Sequence, residues 1–227
     1  MSSQESRIEA LLEGAQLAPV TRERLAQYGE LVLEANHRFN LTGAKQAEDL
    51  AEHLLDSLSI IRYVREPYVD VGSGPGFPAI PVALATGIEV TMIEATRKKA
   101  HFLESALAEL NLAGQVLAER AEIAAHRPEL RERFASGTAR ALGSGPTVAE
   151  LLLPLLAIGG TAILQRGTLS AEEQIALADA SLMLGGTAEA EILVEGSRRI
   201  ILVRKDGPTP ARFPRRIGVP AKRPLCL

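Results

Sequence analysis

Cysteine is almost missing from this chain of 227 residues: the single thiol, Cys226, sits next to the last position. One cysteine cannot form an intrachain disulfide, and a reducing compartment is the simplest setting, so the sequence predicts a cytoplasmic protein with an idle, exposed thiol. Long apolar runs are missing too. The longest, Leu151 to Leu164, is broken by Pro154 and Gly159-Gly160 and falls short of the roughly 20 residues that cross a bilayer, so no membrane span is expected. The opening MSSQESRIEA carries acids where a secretory signal has basic residues and an apolar stretch, and export is not expected. No G-x-S-x-G nucleophile elbow is present, and His53, Asp56 and Ser57 on one helical turn do not make a hydrolase triad. His37, His101 and His126 have neither metal-ligand spacing nor cysteine partners, so no metal site is expected. The chain also lacks internal repeats and low-complexity segments.

What is there is the balance of a globular protein: 46% hydrophobic and 23% charged residues, in a length near the upper end of one ordinary domain. The formal net charge of −3 argues against a general nucleic-acid coat protein, but the charge is unevenly spread. From Arg198 to Arg223 run Arg198, Arg199, Arg204, Lys205, Arg212, Arg215, Arg216, Lys222 and Arg223, opposed only by Asp206. Such a segment suits a face built for phosphates, the alternative being a plain solvated tail.

Apolar spacing divides the chain near Pro67. Before it, Ile8, Leu11 and Leu12, then Leu25, Tyr28, Leu31 and Val32, then Leu50, Leu54, Leu55, Leu58 and Ile61 mark three helical faces, and residues 1–66 are expected to form a helical cap. Beyond it, short apolar runs at Tyr68–Val71, Val90–Ile93, Val116–Ala118, Ala139–Leu142, Thr161–Leu164, Ala190–Val194 and Ile200–Val203 alternate with helical stretches such as Lys99–Leu110 and Val148–Ala157. That rhythm predicts, over residues 67–227, a mostly parallel seven-stranded α/β sheet with helices on both faces. The short link Glu195-Gly196-Ser197 predicts an antiparallel edge hairpin.

The informative stretch is Asp70-Val71-Gly72-Ser73-Gly74-Pro75-Gly76-Phe77-Pro78, directly after the first strand. Glycines there let the backbone turn tightly and approach a ligand, and Pro78 suits a first helical position. A nicotinamide site prefers G-x-G-x-x-G, with its third glycine where Phe77 stands. The spacing G-x-G-x-G, with an acid two positions before it, resembles S-adenosylmethionine-dependent methyltransferases instead. Glu94, at the end of the second strand, can accept both ribose hydroxyls of an adenosine. The backbone of Ala121 and the side chain of Glu122, after the third strand, can border the adenine. Another nucleotide, or a turn with no ligand, is the alternative.

The pieces Asn40-Leu41-Thr42, His53-Leu54-Leu55-Asp56-Ser57, the VDVGSGPGFPAIP loop, Lys98-Lys99-Ala100-His101-Phe102-Leu103, Arg120-Ala121-Glu122, Ala139-Arg140-Ala141 and the ending FPRRIGVPAKRPL occur together in this order. In them the chain resembles, over almost its whole length, the bacterial glucose-inhibited division protein B family of small-subunit ribosomal RNA guanine-N7 methyltransferases. The resemblance implies a Rossmann-like class I methyltransferase fold, S-adenosylmethionine as methyl donor, and 16S ribosomal RNA or the 30S particle as partner to a monomer. It implies a cofactor site of Gly72, Gly74, Gly76, Phe77, Glu94, Ala121, Glu122 and Arg140. Where many members have Lys-Gly after the fifth strand this chain has Arg166-Gly167, and Phe134 is followed by Ala135 instead of an aspartate.

Guanine N7 carries a lone pair and no proton, so its attack on a sulfonium methyl needs no general base, and catalysis reduces to alignment and charge accommodation. Arg140 and Arg199 are the candidates for positioning RNA, Arg199 being equally well read as a surface charge. Arg166, Arg215, Arg216, Lys222 and Arg223 are the candidate RNA-binding residues. Basic residues are few in the cap, so the footprint is expected to lean on the C-terminus. His53 is expected in a core or capping role, with substrate contact as the alternative; Phe39 and Phe213 could stack on RNA, core packing being the default for Phe39. The competing readings are a methyltransferase for a small molecule or protein, a ribosome-assembly factor that binds without turnover, and, more remotely, a nicotinamide oxidoreductase.

Overall fold

Every side chain of Tyr68–Val71 is buried, as a parallel strand covered on both faces requires, and this run forms the middle of the sheet. The computed structural model describes residues 2–195 and 198–226. The strands are β1 (Tyr68–Val71), β2 (Val90–Ile93), β3 (Gly114–Leu117), β4 (Phe134–Arg140), β5 (Leu156–Arg166), β6 (Gly186–Glu195) and β7 (Arg198–Lys205). They form one seven-stranded sheet in the order β3-β2-β1-β4-β5-β7-β6. It is parallel from β3 through β5, while β7 enters antiparallel between β5 and β6. This is the mostly parallel sheet with an antiparallel edge that the sequence pattern predicts.

Helices α1 (Ser3–Leu11), α2 (Pro19–Arg38) and α3 (Ala47–Leu58) precede the sheet; α4 (Ala79–Thr86), α5 (Arg97–Glu109), α6 (Ala121–Ala124), α7 (Gly145–Leu152) and α8 (Ala171–Met183) connect its strands, and α9 (Val219–Lys222) closes the chain. Local chemistry sets their starts. Ser2 and Glu5 form a reciprocal capping box on α1, Pro19 opens α2, and Ser170 caps α8 by accepting from the Glu173 amide.

The sheet divides two apolar cores, because successive strand residues point to opposite faces. On one face Tyr68, Met92 and Ile163 pack with Ile80, Leu103 and the cap residues Ile8, Leu25, Tyr28 and Leu54. On the other, Val69, Val71, Ala162 and Leu164 pack with Val148, Leu152, Leu177 and the C-terminal Phe213 and Leu225. The helical segment therefore has no core of its own; it shares one with α4 and α5.

Several element boundaries differ from the sequence expectation. The helix expected over Val148–Ala157 ends at Leu152 and passes through a 3-10 turn, Leu153–Leu155, into β5. A short apolar run reads alike as buried helix or buried strand, and only the pairing with β4 decides it. The strand expected at Ala139–Leu142 stops at Arg140, because Ala141 takes the left-handed conformation with φ 54°. Pro78 caps α4 instead of opening it. In the expected hairpin link, Gly196 and Ser197 lie outside the described residues.

Candidate functional site

In the order β3-β2-β1-β4-β5, successive strands are added outward in one direction from β1 to β3 and in the other from β4, with β1 and β4 parallel, and ligands of open parallel sheets bind at the carboxyl ends of the strands flanking such a switch point. The glycine loop leaves β1 there, and Arg140 ends β4 there. A cleft of about 300 Å³ opens between them, lined by Gly72, Ser73, Gly74, Pro75, Phe77, Arg140 and Ala141, with Thr42, His53 and Lys99. Arg140 and Ala141 also line a second cleft of about 350 Å³ at the ends of β4 and β5, with Asp56, Gln165, Arg166 and Arg198. Each has a volume suited to a small ligand, and Arg140 stands between them.

The loop is tied down from several sides. Gly74 donates its N–H to Glu94 Oε2 at 2.9 Å, and Thr96 donates to Glu94 Oε1 at 2.7 Å. The Tyr28 hydroxyl donates to the Pro75 carbonyl at 2.6 Å, and the Tyr28 and Phe77 rings meet edge-on with centroids 5.6 Å apart. Gly76 has φ 104°, and a Cβ there would lie 2.6 Å from Ile80 Cδ1 and 2.9 Å from the Tyr28 hydroxyl. At Gly72, φ 70°, a Cβ would reach within 2.4 Å of Leu142 Cδ1. Both positions therefore require glycine.

Beneath the loop, Asp70 is buried, and Thr138 donates to its Oδ1 at 2.6 Å. Its Oδ2 is buried without a partner. Burial pushes the Asp70 carboxyl up to about 7; hydrogen bonds from Thr138 and Ser73 and the charge of Arg140 oppose that rise.

Arg140 joins the cap to the sheet. Its Nη2 donates to His53 Nδ1 at 2.7 Å, Nη1 lies 3.2 Å from Asp56 Oδ2, and its guanidinium lies 5.4 Å from the centroid of the Phe77 ring. Burial, reinforced by Arg140, lowers the His53 pKa, which keeps Nδ1 an acceptor. Ser57 donates its hydroxyl to the His53 carbonyl at 2.7 Å, so the HLLDS string is a docking surface for Arg140 and not a triad.

The other predicted residues fall into distinct settings. Ala121 and Glu122 begin α6 but are not among the residues lining either cleft. Glu122 Oε1 instead accepts from the Gly218 amide at 2.8 Å. Arg166 donates to the Gly143 carbonyl at 2.6 Å and pairs with Glu173 at 2.8 Å. Arg199 pairs with Glu191 at 3.3 Å. Arg215 is held by the fully buried Glu150, with contacts down to 2.6 Å. Arg216, Lys222 and Arg223 are exposed and make no ion pair among the described residues. Sequence reasoning gave no role to Tyr28, Thr42, Asp56, Lys99 or Gln165. Thr42, Asp56 and Lys99 stood within the quoted family strings; Tyr28 was marked only as part of an apolar helix face, and nothing local marked Gln165.

Residues 21–201 match the GidB family, described as rRNA small subunit methyltransferase G. The chain is 39% identical over 219 residues to the ribosomal RNA small subunit methyltransferase G of Trichormus variabilis, covering 89% of each. It is 37% identical to the protein of that name from Dehalococcoides mccartyi, covering 93% of this chain and 95% of that one. Among solved structures, the O-methyltransferase TomG of Streptomyces achromogenes, in complex with SAM, is similar in fold, with TM-score 0.56, 18% identity and coverage of 91% of this chain and 100% of that one. The sheet is thus that of the class I S-adenosylmethionine-dependent methyltransferases, and the chain belongs to the rRNA small subunit methyltransferase G family.

Proposed function

We propose that this chain transfers a methyl group from S-adenosylmethionine to N7 of one guanine in 16S ribosomal RNA. The observation that carries this reading is the pair of adjoining clefts at the switch point, one walled by the glycine loop and the other by the ends of β4 and β5, with Arg140 common to both. The first cleft fits the donor: Gly72 and Gly74 line it with bare backbone, a Cβ at Gly74 would meet only the Gly72 carbonyl at 3.8 Å, and the Asp70 carboxyl holds an unpartnered oxygen beneath the loop.

When bound, S-adenosylmethionine supplies an electrophilic methyl group on a sulfonium. Gly72, Gly74 and Gly76 present the loop backbone, Glu94 orients the loop and takes the ribose, and Phe77 and Arg140 close the wall toward the second cleft. Ala121 borders the adenine, and Glu122 acts one step behind it by holding Gly218. No side chain needs to remove a proton, since N7 has none to lose; the work of the chain is alignment and screening of the charge that develops on the base. N7 lies on the edge that a stacked A-form helix hides, so the guanine enters splayed from its stack. Arg140, which lines both clefts, and Arg199, paired across the sheet with Arg166 of the second cleft, act as positioning residues. On this reading residues 1–66 are a cap, and the chain acts as a monomer in the cytoplasm.

Mass mapping of methylated nucleotides in small-subunit RNA, from cells with and without this protein, tests the proposal. One N7-methylguanine is expected to vanish and to return when the purified chain and S-adenosylmethionine are added. An unchanged methylation pattern, or a methyl group lost from another atom, would overturn it.

A further inference from the structure

The donor cleft does not end at the glycine loop. Thr42 lines both it and a hollow formed by the end of α2 and the segment that follows, which includes Arg38, Asn40 and Lys45. Arg38 and Phe39 in turn line both that hollow and a groove between α2 and α5, where Lys98, His101 and Phe102 form the opposite wall. Shared lining residues set the three hollows next to one another, and together they form the trough.

Its charge is graded. Arg24, near the start of α2, donates to the Leu110 carbonyl at the end of α5 at 2.5 Å, so the two helices run antiparallel. Arg38, at the end of α2, and Lys98, in the first turn of α5, line the groove together with Glu34 and Glu109, which lie farther along their helices. Arg38, Lys45 and Lys98 are exposed and join no ion pair among the described residues. Arg140, Arg166, Arg199 and Arg215 are each paired with a carboxylate of this chain, whereas Arg216, Lys222 and Arg223 are exposed like the trough cations but line neither the clefts nor the trough. Phe39 and Phe102 are half-buried between the cations, and apolar rings among unpaired cations are the chemistry that holds single-stranded nucleic acid.

We infer that the trough from Thr42 along α2 and α5 carries the single-stranded RNA flanking the target guanine, with Arg38, Lys45 and Lys98 on its phosphates and Phe39 and Phe102 under its bases. The inference rests on the proposed methylation of ribosomal RNA and moves the main footprint from the C-terminus to the cap.

The test compares Arg38→Ala/Lys45→Ala/Lys98→Ala with Arg216→Ala/Lys222→Ala/Arg223→Ala, using small-subunit RNA from cells lacking the protein. The cap variant should lose about tenfold or more in RNA affinity and flatten the dependence of log affinity on log salt by about two, at roughly 0.7 per lost phosphate contact. S-adenosylmethionine affinity and melting temperature should stay as in the parent, and Arg38→Lys/Lys45→Arg/Lys98→Arg should restore binding. An unchanged salt slope in the cap variant, with a parent that methylates normally, overturns the trough alone. Loss of binding to the 30S particle with naked-RNA affinity intact also overturns it, since the trough would then face a protein. A parent that neither binds nor methylates RNA indicts the proposed function itself.

Discussion

The C-terminal segment divides its charges between interior and surface, whereas the cap-side rim turns its cations outward. The former is dense in cations, yet its central arginine turns inward: Arg215 meets the buried Glu150 and also donates to the Arg223 carbonyl at 2.7 Å. Arg131, from the loop after α6, clamps the same segment by donating to the carbonyls of Thr209 and Phe213 at 2.8 and 2.9 Å. The rim beside α2 and α5 has fewer cations, but Arg38, Lys45 and Lys98 face solvent. Cation density along a chain therefore overstates the field a ligand meets, since Arg204, Lys205 and Arg215 are paired with carboxylates of this chain while Arg216, Lys222 and Arg223 stay exposed as the rim cations do.

The strongest way to break this contrast is Arg215→Ala. It leaves the Glu150 carboxylate buried without a counter-charge, so unfolding in urea should show a loss of about 3–5 kcal/mol. A loss below about 1 kcal/mol would mean that the pair does not anchor the tail. Glu94→Ala should act on the loop and through it on the ligand. Without its carboxylate the Gly74 amide loses its acceptor and the ribose its partner, and calorimetry should find S-adenosylmethionine binding weaker by roughly 1.5 to 3 kcal/mol. An unchanged dissociation constant would remove Glu94 from the site.

Lys205 sharpens the tail side further. It is fully buried, 3.2 Å from the Leu184 carbonyl and 3.5 Å from Glu132, and burial pulls its ammonium down from 10.5 to about 8. The unfolded chain then holds that proton more tightly, so this group makes stability rise with pH between about 8 and 10.5. Urea midpoints of Lys205→Met should show a shallower rise across that window; superimposable pH profiles would contradict it. The smallest effect belongs to the exposed tail cations. Arg216→Ala, Lys222→Ala and Arg223→Ala should each change stability by no more than about 0.5 kcal/mol, and melting curves showing larger losses would mean that they too are used inward.

Much of this was open to reading in the sequence because it depends on neighbours along the chain. Strand and helix alternation, the glycine loop and Glu94 at the end of β2 all follow from local period and spacing. What stayed hidden depends on partners far apart in the chain. Nothing near Arg215 announces Glu150, 65 positions away, and nothing near Tyr28 announces the Pro75 carbonyl, 47 positions away. Glu122 illustrates the same limit: nothing near it announces the Gly218 amide, 96 positions away. The boundary between α7 and β5 was misread because Leu153 to Ala157 is apolar in either conformation, and only strand pairing distinguishes the two.

Arg140 sets a limit on modularity. Its guanidinium is held by His53 and Asp56 of α3 while it faces the Phe77 ring on the ligand side. A chain cut at Pro67 would contain every glycine of the loop and the whole sheet, and would resemble a minimal enzyme on paper. It would also strip the acceptors from the one arginine that both clefts share, uncover Ile80 and Leu103, and free the Pro75 carbonyl from Tyr28. Swapping or trimming the first three helices is therefore not an accessory change, since they furnish part of the wall against which the chemistry is held.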